Sequence, residues 1–370
     1  MAGVALAMRA VAVAAAVWIG GVSLDAYTDK GDGESYKRYA LAIVGHSGGE
    51  MTTYDTRVFP GYPLLFAPLT LVGLPAGAAG LLVTIGAATA IPPLAATAFQ
   101  DRRVGWACAM LIPHWPINSS LAMSEAPCVA LCLGGVLLSR RRPILSGLVF
   151  GVAGLVRPMA AFAVAGVLLW EARAAISPLA ARPRRALERK PAPDAPAKGG
   201  RLTTQRLLAL AITPLAVIAL GLLGVWLAFG DPLHGVRVYA NDPGAYRGDL
   251  FDWPFGSIFS TLATGEVGVG RAIWTLAHVA LALVACGFVA VSAFRNRVAT
   301  IAAGWLVGNT LFVLTIGSDW GFFHFPRFLL PALPPLMFAL RRWLPDDRRV
   351  WIGLAILMTP VAAWGVLDSP

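Results

Sequence analysis

Eleven apolar stretches of 13 to 24 residues constrain the fold more than any other feature of the chain: 7–24, 77–99, 104–119, 122–139, 144–156, 158–171, 207–229, 270–293, 298–317, 327–344 and 350–366. A helix that crosses a bilayer needs about 20 mostly apolar residues, and in hydrocarbon every backbone polar group must be paired within its own segment. The pattern predicts an all-α, polytopic helical membrane protein with about eleven transmembrane helices. Only 14% of the 370 residues are charged, against about 25% in soluble domains. An ordinary water-soluble enzyme is excluded.

The first stretch, with Arg9 in front and no clear small-residue cleavage site behind, reads as a retained span with its N-terminus inside, the alternative being a signal peptide. Phe59 to Leu74 is too short and too rich in proline for a crossing. It is expected as an interfacial or re-entrant helix within a first outer loop, 25–76. A second outer loop spans 230–269, and a basic cytoplasmic linker covers 172–206, all within a single transmembrane domain.

At Arg157-Pro158 the chain offers either one 27-residue helix, Ile144 to Trp170, or two short ones. With two, the inner segments hold 21 of the 30 basic residues and the outer segments 14 of the 20 acidic ones, as the positive-inside rule requires. One long helix would export the basic linker. The net charge of +10 thus divides into +15 inside and −5 outside. It is a topology signal and calls for no nucleic acid. The linker, with Ala181-Arg182-Pro183-Arg184-Arg185, is expected to be a disordered loop against anionic membrane lipid. Gly147, Gly151 and Gly154 have the spacing of a helix-packing face. Cys108, Cys128, Cys132 and Cys286 all lie in apolar stretches and suggest neither a disulfide framework nor a zinc site.

Chemistry is sought at the outer ends of the spans, where ionisable groups are tolerated because they line a cavity. The run Asp29-Lys30-Gly31-Asp32-Gly33-Glu34-Ser35-Tyr36-Lys37-Arg38-Tyr39-Ala40 gathers carboxylates, cations and phenols just outside the first span. Such a set can deprotonate an acceptor hydroxyl and neutralise a leaving phosphate. It can equally be a solvated turn with capping Asp and Ser.

Asp32-Gly33-x-x-Tyr36, followed by Arg57-Val58-Phe59-Pro60-Gly61-Tyr62-Pro63-Leu64-Leu65, resembles the first luminal or periplasmic loop of the GT-C glycosyltransferases, polytopic enzymes that use polyprenyl-phosphate-linked sugars. Ser124-Glu125-Ala126-Pro127 is similar to the Ser-Glu of that superfamily. Gly147-Leu148-x-x-Gly151-x-x-Gly154-Leu155-x-Arg157-Pro158 is similar to its Gly-Leu…Gly…Arg-Pro segment. Pro326-Arg327-Phe328-Leu329-Leu330-Pro331-Ala332-Leu333-Pro334 looks like its Arg-Tyr-Leu-Leu-Pro-x-x-Pro stretch, with Phe328 where Tyr is common. Gly230-Asp231-Pro232-Leu233 and Trp253-Pro254-Phe255 point further, to bacterial relatives of the mannosyltransferase that adds the second mannose to GPI anchors. That group usually has Trp before its Asp-Gly pair, where this chain has Gly31.

The resemblance implies an inverting hexosyltransferase that moves a mannose-like sugar from a polyprenyl phosphate to a lipid, glycan or protein acceptor. Asp32 is the implied base. Arg327 and then Arg157 are expected at the donor phosphate, since planar, permanently charged Arg suits a phosphate monoester. Snorkelling, or an ion pair with Glu125 or Asp319, is the plainer role for both. Glu125, Tyr36, Arg57, Tyr62 and His324 are candidates for holding or positioning the acceptor, although Glu125 could simply cap the helix that starts near Ala126. Asp29 with Asp32 would be the pair for a divalent cation, magnesium or manganese, and metal dependence stays open.

His46, His114, His234, His278 and His324 lack the paired spacing of a metal-binding helix, and His114 and His278 read as buried, hydrogen-bonded residues. The aromatics from Trp320 to Phe325 either stack on sugar or lipid or form an interfacial belt. The expected location is a bacterial inner membrane, N-terminus cytoplasmic and site facing outward. A transporter or lipid flippase without transferase activity is the competing reading. It is disfavoured because the polar residues sit in outer loops and the two halves show no inverted repeat. A scaffold without activity is the third.

Overall fold

A computed structural model describes residues 1–46, 51–52, 55–110, 114–186, 198–241, 251–264, 267–293, 295–317, 322 and 324–367. The chain is all-α, and the described residues contain no strand, only an isolated bridge between Phe251 and Ile316. In order, the α-helices are α1 (Ala2–Ala14), α2 (Leu24–Thr28), α3 (Gly33–Ile43), α4 (Gly61–Leu71), α5 (Ala76–Ala98), α6 (Arg102–Met110), α7 (His114–Asn118), α8 (Glu125–Leu138) and α9 (Pro143–Val156). There follow α10 (Ala160–Ala186), α11 (Lys198–Phe229), α12 (His234–Asn241), α13 (Gly256–Ala263), α14 (Val269–Ser292), α15 (Arg297–Leu314), α16 (Phe325–Leu329), α17 (Leu333–Leu340) and α18 (Arg348–Leu367).

Five described segments are long and apolar enough to cross a membrane: Ala2–Ile19, Ala76–Ala98, Thr204–Phe229, Val269–Ser292 and Arg297–Leu314. Of the other expected crossings, 158–171 maps to α10 and 350–366 to α18, and the rest are shorter or broken. Helices α8 and α9, 14 residues each, rise about 21 Å at 1.5 Å per residue. The stretch 104–119 divides into α6 and α7, with 111–113 outside the described residues. The stretch 327–344 becomes α16, a 3₁₀ turn at Leu330–Ala332, α17 and a second 3₁₀ turn at Arg341–Trp343. Pro331, Pro334 and Pro335 lack the N–H that a continuous helix needs there.

The first span starts at Ala2, not residue 7, and ends in a π turn, Ala15–Ile19. Arg9 is therefore inside the span rather than in front of it. It is fully buried, with Nε donating to Ser119 Oγ (3.0 Å) and Nη1 to the Ala5 carbonyl (2.8 Å). Helix α10 passes the expected start of the basic linker and continues to Ala186, since an Ala-rich sequence keeps good helix propensity. The run Ala181 to Arg185 lies outside the residues whose side chains are described.

The chain divides at Arg157-Pro158, as the charge distribution predicts. Arg157 is extended (φ −153°, ψ 131°), the conformation that a following proline imposes. The glycine face of α9 packs on α11. A Cβ at Gly147 would meet Thr213, at Gly151 Val217 and at Gly154 Ile218. Helix α4 is the short helix expected in the first outer loop. At the far end of the bundle, Arg103 pairs with Asp101 (2.9 Å) and Asp346 (3.4 Å), and Arg297 donates to the Val136 carbonyl (3.2 Å) and to Ser139 Oγ.

Candidate active site

The near end of the bundle collects ionisable side chains from five segments. Asp32 stands at the start of α3, and Gly31 before it takes φ +65° with Met123 against it. That left-handed conformation suits glycine and strains any residue with a Cβ, so the departure from Trp follows from the turn. A Cβ at Gly33 would strike the Thr28 carbonyl. Asp32 occupies the N-cap position of α3 but makes no side-chain capping bond. Its carboxylate turns inward instead.

Arg327, in α16, donates from Nη2 to Asp32 Oδ2 (2.5 Å) and from Nε to Glu125 Oε1 (2.7 Å). Arg157 reaches the same Glu125 Oε1 through Nη2 (2.7 Å) and gives Nε to Ser124 Oγ (2.8 Å). Arg57 donates from Nη2 to the other oxygen of Asp32, Oδ1, at 3.2 Å. Three guanidinium groups thus surround two carboxylates, a local excess of one positive charge. Glu125 is fully buried, whereas Asp32 keeps 16% of its side-chain surface and Arg327 17%. Asp32 is the carboxylate that a substrate can reach. Burial alone would raise its pKa, but Arg327, with Arg57 and Arg157 behind it, overcomes this and holds it down at about 2.

Tyr36 shares a hydrogen bond with Ser124 Oγ (2.8 Å), and burial pushes its phenol well above the usual value, so it stays protonated at neutral pH. Tyr62 packs edge-on against Tyr36, with ring centroids 4.7 Å apart. Its hydroxyl, however, points to the Gly80 carbonyl (2.8 Å) and Thr84 Oγ1 (2.7 Å), so it fastens α4 to α5 and does not face the charges. His324 is at the start of α16, its ring 6.1 Å from that of Phe328. Glu125 opens α8 but is not a mere cap, since it ties two arginines together.

Asp29 faces Lys37 (2.5 Å) while Asp32 faces the arginines. No group of three or more His, Cys, Asp or Glu side chains that could hold a metal ion occurs among the described residues. Asp319, Gly321 and the aromatics Trp320 and Phe323 lie outside the described residues, as does the side chain of His114. His278 is buried, with Nδ1 2.9 Å from the Trp274 carbonyl.

Asp55 has a part that sequence reasoning missed. Buried, it accepts from Ser35 Oγ (2.9 Å), Arg38 (3.2 Å) and the Thr52 N–H (2.9 Å). It thereby fixes the 3₁₀ turn Asp55–Arg57 that presents Arg57. The Thr52-x-x-Asp55 spacing is the local signal for such a turn. From the start of α12, His234 Nε2 meets Thr56 Oγ1 (3.0 Å) and its ring stacks on Phe229 (4.7 Å).

Beside Arg57 opens a cavity of about 490 Å³ between α9, α10 and α11. Its walls are apolar, with Leu155, Leu168, Ile218 and Leu222, and its polar rim carries Arg57 and His234. An apolar trough that ends at a cation suits a ligand with a hydrocarbon chain and an anionic head.

No family model matches the chain, and no curated protein matches it. Among solved structures, the apo oligosaccharyltransferase of Archaeoglobus fulgidus superposes on all of this chain with TM-score 0.48 and 10% identity. The chain spans 56% of that protein's length.

Proposed function

We propose that the chain is an integral membrane glycosyltransferase that takes a sugar from a polyprenyl-phosphate donor and joins it to a hydroxyl-bearing lipid, glycan or protein acceptor. The observation that carries the reading is the cluster of Asp32, Glu125, Arg57, Arg157 and Arg327, with its excess positive charge, beside an apolar cavity. Arginine is suited to a phosphate monoester, and the cavity to a prenyl chain. These residues also occupy the positions at which the chain's motifs resemble the GT-C superfamily.

In the proposed reaction the acceptor oxygen attacks the anomeric carbon and its proton passes to Asp32. The bond from that carbon to the phosphate oxygen breaks, and its electron pair leaves with the polyprenyl phosphate, whose charge the arginines balance. A single displacement inverts the anomeric centre. A mannose-like hexose is the favoured sugar, and the favoured setting is the outer face of a bacterial inner membrane, with the N-terminus inside. Arg327 and Arg157 hold the cluster together, and Tyr36 and Glu125 position its parts.

The test is transfer of radiolabelled sugar by membranes that contain the protein, offered a panel of polyprenyl-phosphate sugars. Transfer with matching release of polyprenyl phosphate is expected. Movement of solute or lipid in proteoliposomes without any sugar transfer would establish a transporter or flippase instead.

A further inference from the structure

Asp32 is capped on both oxygens, by Arg327 on Oδ2 at 2.5 Å and by Arg57 on Oδ1 at 3.2 Å. A carboxylate in that state has both oxygens engaged by guanidinium groups, which makes it a weaker base. The three arginines are not held alike. Arg157 is locked between Ser124 and Glu125, and its backbone is fixed by Pro158. Arg327 spans two carboxylates at 2.7 and 2.5 Å. Arg57 makes the longer carboxylate contact and comes from a 3₁₀ turn rather than from one of the bundle helices. It also lines the apolar cavity.

We propose that Arg57 is the donor-phosphate ligand and that arrival of the phosphate draws it off Asp32 Oδ1, so the donor itself uncaps the base. The proposal rests on the glycosyltransferase reading above. The donor phosphate, a diester with one negative charge, competes with Asp32 for one guanidinium, and burial of its prenyl chain in the apolar cavity that Arg57 lines favours the exchange. Arg327 stays on Oδ2 and keeps the carboxylate aimed, while Oδ1 becomes free for the acceptor hydroxyl. Without donor both oxygens stay engaged and the base is weak. Arg57 thus links donor occupancy to base availability, and its contact with Asp32, at 3.2 Å, is the longest of the described arginine–carboxylate contacts in the cluster.

Competition predicts that neutralising Asp32 tightens phosphate binding and that this gain depends on Arg57. The experiment measures the Kd of undecaprenyl phosphate, and of inorganic phosphate as the head group alone, for purified protein in detergent. Asp32→Asn is expected to bind the lipid phosphate about tenfold tighter than the unaltered protein, the worth of a charge-assisted contact. Arg57→Gln is expected to bind about tenfold weaker, Arg57→Lys to fall between, and the Asp32→Asn gain to vanish in the Arg57→Gln background. Inorganic phosphate is expected to bind more weakly throughout but in the same order.

Equal or weaker binding by Asp32→Asn overturns the exchange, and so does unaltered binding by Arg57→Gln. The two arms are independent, so loss of one variant to misfolding leaves the other decisive. Absence of saturable binding by the unaltered protein overturns the glycosyltransferase reading and the exchange together. Failure of the exchange alone leaves that binding intact.

Discussion

Arg327 and Asp32, 295 positions apart in the chain, meet at 2.5 Å, and the same guanidinium continues to Glu125 at 2.7 Å. One side chain thereby ties α16 to the start of α3 and to the start of α8. Removal of one member of a buried ion pair typically costs about 3–5 kcal/mol, because the remaining charge stays buried. Arg327→Met is expected to lower the thermal stability of the purified protein markedly. With Glu125→Gln added, the two losses should be less than additive, since both substitutions break the Arg327–Glu125 contact. A thermal-unfolding series on the two single variants and the double variant checks this, and strictly additive losses would contradict it.

Arg327→Lys separates charge from shape. Lysine is a point charge and cannot present two donors in the fixed fork that spans Asp32 and Glu125. Transfer activity is expected to fall by about tenfold or more, the worth of one charge-assisted contact. Activity at the original level would show that only the charge matters.

Tyr62 and Tyr36 are neighbours with different expected fates. Tyr62→Phe removes a hydroxyl that fastens α4 to α5 through Gly80 and Thr84. It should cost about 1–3 kcal/mol of stability and leave activity per folded molecule unchanged. Tyr36→Phe releases Ser124, and through it Arg157, so activity should fall as well. Activity normalised to folded protein distinguishes the two.

Asp32 also sets an acid dependence of stability. Its folded-state pKa, about 2, lies below the ordinary value of about 3.9. The carboxylate's contribution is therefore fully present above the ordinary value and is lost as pH falls through about 2. Thermal stability should decline between those two values, and Asp32→Asn should lack that part of the decline. The comparison of melting profiles at several pH values is the check. A decline of the same size in the variant would assign it to other carboxylates.

Much of this was legible in the sequence where the physics is local. The apolar stretches give the all-α membrane class, and proline after Arg157 forces the helix break that aims Arg157 at Glu125. Asp32, Glu125, Arg157 and Arg327 stand in the motifs that resemble the GT-C superfamily. What the sequence does not carry is the pairing, because contacts such as Arg327 with Asp32 depend on how the helices pack. The same limit hid the work of Asp55 beneath Arg57 and left Tyr62 with an expected site role that its hydroxyl does not fill. Segment lengths were overestimated at 327–344, where successive prolines divide one apolar run into short helices.

The most direct test of the central claim is release of polyprenyl phosphate by the purified, reconstituted protein, given a polyprenyl-phosphate hexose and a hydroxyl acceptor, compared with Asp32→Asn at equal folded amount. The expected result is one polyprenyl phosphate released per sugar transferred, with the rate falling by about 10²–10⁴-fold in the variant, the usual worth of a general base. Equal rates in the two proteins would contradict Asp32 as the base, and absence of release from the unaltered protein across the donor panel would contradict the transferase itself.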